Sequence, residues 1–102
     1  MRDAAIEAID FASGRRRDEL NTNRMLTLAL VKDIEIIGEA ASRISAECRA
    51  RHPQLPWVQI IGMRNRLTHA YFEVNLDIVW QVVTNDLPAL VIKLEQIISL
   101  EA

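Results

Sequence analysis

Cysteine, histidine, glycine and proline are all scarce in this chain, and each shortage narrows what it can be. The 102 residues include one Cys, Cys48, two His, three Gly and three Pro. A lone cysteine cannot close an internal disulfide, and one Cys with two His is poor material for a structural zinc site. No metal and no other cofactor is expected, and a cytoplasmic setting fits the cysteine usage. So few glycines and prolines leave little material for hairpins or long flexible linkers. No apolar run approaches the ~18 residues of a membrane span. Met1 leads directly into a mixed-charge helical pattern rather than an apolar signal region. An excess of positive charge is missing too: the formal net charge is −2 and the pI about 5.6. Proteins that coat nucleic acid by bulk electrostatics are usually basic, so any such contact here must be local and made by a few arginines.

What is present is ordinary globular material, half hydrophobic and a quarter charged, in a length that suits one domain over residues 1–102. Ala5, Ile6 and Ile9, with Phe11 and Ala12 nearby, have helical spacing, and Ser13-Gly14 ends that helix. Arg15-Arg16-Arg17-Asp18-Glu19 reads first as a solvated connector, with contact to RNA or an acidic partner as its other reading. Asn21, Thr22 and Asn23 are candidate caps for a long helix from Arg24 to about Arg51. Its core stripe is Leu26, Leu30, Ile34, Ile37, Ala41, Ile44 and Cys48. A polar stripe carries Lys32, Glu35, Glu39, Arg43 and Glu47, with Glu39 and Arg43 spaced for an i,i+4 pair. Met25, Leu28, Val31 and Ile36 lie outside the core stripe, as expected of a central helix or one that meets a second subunit. Gly38 costs helix propensity, which points to a neighbouring helix in close approach.

His52-Pro53-Gln54-Leu55-Pro56 breaks the helix. A third helix runs from Trp57 through Ile60, Ile61 and Met63. Asn75 is placed to cap a fourth, carrying Leu76, Val79, Trp80, Val83, Leu87, Leu90, Leu94 and Ile97, with a kink or split near Asn85-Asp86 forced by Pro88. Nothing reads as a strand. The expected fold class is all-α, an antiparallel bundle of four or five helices.

Chemistry concentrates in Arg64-Asn65-Arg66-Leu67-Thr68-His69-Ala70-Tyr71. RNA cleavage without a metal needs proton transfer at the ribose 2′-OH or at the leaving oxygen, and a cation for the phosphate. His69 can serve the first need, Arg64 the second, and Asn65 adds an amide for phosphate or for orientation. On an unbroken helix, Arg64 and His69 would stand roughly 140° apart. They share one cleft only if the helix loosens near Leu67-Thr68 or if two subunits meet there. Taken singly, each residue also has a structural reading: a hydrogen-bonded histidine, surface or ion-paired arginines, a core tyrosine with its hydroxyl at the rim.

The whole string resembles the Arg-x-x-x-x-His-x-Tyr motif of HepT-like HEPN proteins. Ile36-Ile37-Gly38-Glu39-Ala40, Pro53 through Pro56-Trp57, Ile61-Gly62-Met63-Arg64-Asn65, Val79-Trp80 and Asp86-Leu87-Pro88 match in the same order. The resemblance covers nearly everything from about residue 24 onward. It implies a HEPN-like helical bundle that works as a homodimer: a toxin and metal-independent endoribonuclease, with the motifs of both subunits in one cleft. It implies Arg64, Asn65 and His69 as catalytic residues, and Arg64 and Arg66 as RNA phosphate ligands. Its partner would be an MNT-type nucleotidyltransferase antitoxin that transfers AMP to Tyr71. Glu39 matches a frequent glutamate of the family and is a possible accessory residue, with a surface ion pair as its other reading. The alternative function is a non-catalytic HEPN adaptor or nucleotide-binding partner of such a transferase.

Overall fold

The computed structural model describes residues 1–70 and 73–101, with the backbone alone described at 68–70, 73 and 101. The elements are α1 (Arg2–Ala12), α2 (Glu19–Thr22), α3 (Arg24–Ser42), α4 (Ala46–Arg51), α5 (Trp57–Ile61), α6 (Met63–Leu67), strands β1 (Thr68–Ala70) and β2 (Glu73–Val74), α7 (Leu76–Gln81), a π-helical turn at Val82–Asp86 and α8 (Leu87–Glu101). The all-α class holds.

The 19-residue α3 is the axis of the molecule. Leu26, Leu30, Ile34, Ile37 and Ala41 recur every three or four residues and are all buried, as the stripe requires. Asn23 starts the helix, its side-chain oxygen accepting from the Leu26 N–H at 3.0 Å. One flank receives α1, which offers the small side chains Ala5, Ala8 and Ala12 to the core. Ile6 and Ile9 are only half-buried beside them. Alanines at the contact let the two backbones approach closely. The other flank receives α5 and α6. A Cβ at Gly38 would meet the carbonyl oxygens of Ile60 at 3.3 Å and Ile61 at 3.5 Å, so the expected close approach is that of α5. Leu87, Val79, Val82 and Val83 close the core from the C-terminal half.

Three expectations are refined. The helix expected over Arg24–Arg51 is two helices, because Ser45 takes an extended backbone and caps α4 through the Cys48 N–H. Ile44 and Cys48 are consequently only half-buried. The third helix is likewise divided at Gly62 into α5 and α6. The interruption that Pro88 predicts is present, since α7 and α8 are separated by the π-helical turn over Val82–Asp86. Having no N–H to donate to the carbonyl four residues back, Pro88 stands just inside α8, directly after the turn whose wider π-helical winding takes up the mismatch. Finally, the helix ends at Leu67 and the chain enters a two-stranded antiparallel ribbon, with Thr68 opposite Val74 and Ala70 opposite Glu73. β-Branched Thr68 and Val74 suit extended backbone, but strands of three and two residues are too short to leave an alternating signature. Asn75 caps α7 as expected, accepting from the Ile78 N–H at 3.2 Å.

The arginine run is spent on ion pairs within the chain. Arg15 donates to Glu19 and holds that carboxyl below its ordinary pKa, helped by the Arg16 backbone N–H. Arg17 bridges to Asp77 of α7 at 2.7 Å. Among the described residues, no helix is long and apolar enough to cross a membrane.

Candidate active site

Gly62 ends α5, and the single turn of α6 then projects Arg64, Asn65 and Arg66 into solvent while Met63 and Leu67 anchor it in the core. Residues two apart on a helix point roughly 200° apart. Arg64 therefore faces α3 and Arg66 faces α8, and the two arginines serve different surfaces.

On the α3 side lies an open cavity of about 550 Å³. Arg64 and Asn65 form one wall; Lys32, Glu35, Glu39 and Arg43 form the other. Glu35 Oε1 stands 3.7 Å from Arg64 Nε, an ion pair too long to be a hydrogen bond. The Arg64 side chain remains 71% exposed. Its donors can thus turn to an incoming phosphate, and the guanidinium fork matches phosphate oxygens in two parallel bonds. Glu39 pairs with Arg43 at 2.9 Å, the expected i,i+4 contact, and also lines this cavity. Three cations against two carboxylates leave the lining positive, although the chain as a whole is acidic.

Leu67 ends the helix and His69 sits in β1, so the backbone shows the loosening that is one of the two conditions set by the spacing. The side chain of His69 and the whole of Tyr71 lie outside the described residues. Among the described residues no group of three or more His, Cys, Asp or Glu side chains is arranged to hold a metal.

Lys32 and Glu35 were visible in the sequence only as part of a polar helical stripe. Their place opposite Arg64 is a tertiary contact across about thirty residues of chain, and no local pattern encodes it. Asp33 was missed altogether. It is a carboxylate within the apolar face of α3, 2% exposed, with Oδ2 lacking a hydrogen-bond partner. Burial first, then hydrogen bonding to the Glu7 carboxyl and repulsion from it, raise its pKa to about 6.

A family model described as Ribonuclease HepT-like matches residues 1–97. The chain belongs to the HepT-like ribonuclease family. Its relatives include a protein of Caldanaerobacter subterraneus subsp. tengcongensis named "Putative RNase", 36% identical over 91% of this chain and 83% of that one. A protein of Methanocaldococcus jannaschii with the same style of name is 34% identical over 84% of this chain and 79% of its own length. A protein of Thermococcus cleftensis named "Probable ribonuclease HepT" is 39% identical over 68% of this chain and 63% of that one. No solved structure matches the chain.

Proposed function

We propose that this HepT-like chain is the toxin of a HepT/MNT-type toxin–antitoxin pair and acts as a metal-independent endoribonuclease. The observation that carries the reading is the cavity beside α3: an exposed arginine and an asparagine on one turn, in a positive pocket, on the helix that passes directly into the strand bearing His69. In this mechanism Arg64 binds the scissile phosphate and stabilises the charge that builds on it. Asn65 holds a phosphate oxygen or the reacting ribose. His69 carries the proton at the 2′-OH or at the leaving oxygen. Arg66 binds phosphate on the other side of the same turn, and Glu39 tethers Arg43 at the cavity wall.

The working unit is a homodimer. Met25, Leu28 and Ile36 stand along one side of α3, 84%, 51% and 42% exposed, and Ile36 also lines the cavity. Apolar side chains grouped in this way are characteristic of a subunit interface. A second copy packed there would border the cavity and bring a second set of motif residues to it.

We assign regulation to an MNT-type nucleotidyltransferase that transfers AMP from ATP to the Tyr71 hydroxyl, with pyrophosphate leaving. The added phosphate would compete for the guanidinium groups that otherwise receive RNA. Expression in a bacterial host tests both halves. The wild-type chain should arrest growth, His69→Ala should not, and co-expression with the transferase should add AMP-sized mass increments that Tyr71→Phe abolishes. Growth arrest by His69→Ala equal to that by the parent would remove the mechanism. Transferase-dependent mass increments persisting in Tyr71→Phe would remove the switch.

A further inference from the structure

Arg66 does not face the α3 cavity but a separate cleft of about 180 Å³ between α5–α6 and the start of α8. The floor is apolar, formed by buried Ile60, Met63 and Leu90. The rim is polar and drawn from four elements: Gln59 of α5, Arg66 of α6, Asp86 of the π-helical turn and Lys93 of α8. Among the described residues neither Arg66 nor Lys93 has a carboxylate within ion-pairing distance, although Asp86 shares their cleft. Two cations against one carboxylate leave the rim net positive over an apolar floor, which matches a ligand that is apolar on one part and anionic on another.

We propose that this cleft is a nucleotide subsite for the RNA substrate, with the base on the Ile60–Met63–Leu90 floor and its phosphate on Arg66 and Lys93. The proposal rests on the ribonuclease reading and extends it to a substrate-binding position outside the α3 cavity. Size supports it. At about 180 Å³ the cleft has room for one base ring system, with ribose and phosphate extending to the rim. The chemistry supports it as well: sequence-specific recognition of single-stranded RNA splays a base out of its stack and bonds its edge, and the polar rim supplies groups for that edge. Asp86 accepts from base N–H groups, and Gln59 both donates and accepts. The placement is suitable too. The cleft and the cavity flank the single turn of α6, an element roughly 10 Å across, so a short strand laid over that turn can reach both Arg64 and Arg66.

The test is an NMR titration of the full-length chain with CMP, UMP, AMP and GMP, and separately with inorganic phosphate. Mononucleotides should shift the amides of Gln59, Met63 and Leu90 saturably. Lys93→Ala should weaken that binding by about tenfold, the loss expected for one charged hydrogen bond. It should also reduce the salt dependence of RNA binding by about 0.7 in logarithmic slope, one single-strand phosphate contact. Ala89→Trp, at the cleft mouth on the outer side of α8, should abolish the shifts without loss of helicity. Inorganic phosphate producing the same shifts with equal affinity would mean an anion site only and would overturn the proposal. So would shifts confined to Lys32, Glu35 and Arg64, or binding unchanged in Lys93→Ala. Cleavage is scored independently: an active ribonuclease whose cleft takes no mononucleotide overturns the subsite alone.

Discussion

Replacing Asp33 with asparagine should stabilise the protein at neutral pH and leave it unchanged near pH 4. Asp33 lies on α3 at the contact with α1, 2% exposed, with one carboxylate oxygen unbonded and the Glu7 carboxyl beside it. Burial and that neighbour raise its pKa from 3.8 to about 6. Between those values the folded chain keeps a proton that the unfolded chain has released. Stability therefore falls as pH rises through that window and levels off above it. A shift of roughly two units at ~1.36 kcal/mol per unit sets a ceiling near 3 kcal/mol. Asparagine has the same shape and no charge to desolvate, so the gain at pH 7.5 should be about 1–3 kcal/mol. For a chain of this size each kcal/mol moves Tm by about 4–8 °C. Thermal unfolding of both proteins at fixed concentration, at about pH 4, 5, 6 and 7.5, makes the comparison. Wild-type stability that climbs steadily from pH 4 to 7.5, or an Asp33→Asn variant equally destabilised at both ends, would refute the reasoning.

Other perturbations probe the frame and the cavity. Gly38→Val adds bulk against the Ile60 and Ile61 carbonyls, which are backbone and cannot turn aside. It should cost about 1–3 kcal/mol in urea unfolding and lower RNA cleavage by displacing the α5–α6 segment. Asn23→Ala removes the cap of α3 and should cost about 1 kcal/mol with no change in RNA affinity measured on the folded protein. Glu35→Gln frees Arg64 from its counter-ion; both groups are partly exposed, so RNA affinity by fluorescence anisotropy should rise by no more than about fivefold, within the ~1 kcal/mol of such a pair. Leu28→Asp places a charge on the exposed face of α3 and should shift the chain toward monomer in sedimentation while cleavage falls in parallel.

The frame was legible where one local interaction decides the structure. The buried stripe of α3, the caps at Asn23 and Asn75, and Gly14, with φ of 74° just beyond α1, need no knowledge of the rest of the fold. Gly38 announced a close neighbour without saying which. Legibility failed where two signals overlapped. The apolar period runs on through Ile44 and Cys48, and it hid the break that Ser45 makes. Asp33 was concealed by its apolar neighbours, since its burial follows from the docking of α1. At the site, the motif residues stood out because their chemistry is rare elsewhere in the chain. Glu35, Lys32 and Lys93 are ordinary helix-surface charges until folding sets them opposite Arg64 and Arg66.

Cleavage of a single-stranded RNA by the purified chain in excess chelator, compared with Arg64→Ala and His69→Ala, tests the central claim most directly. The account predicts cutting by the parent and a loss of at least about a hundredfold in each folded variant, the scale of a missing acid–base or charge-stabilising group. Equal cutting by all three proteins, or none by the parent, would contradict it.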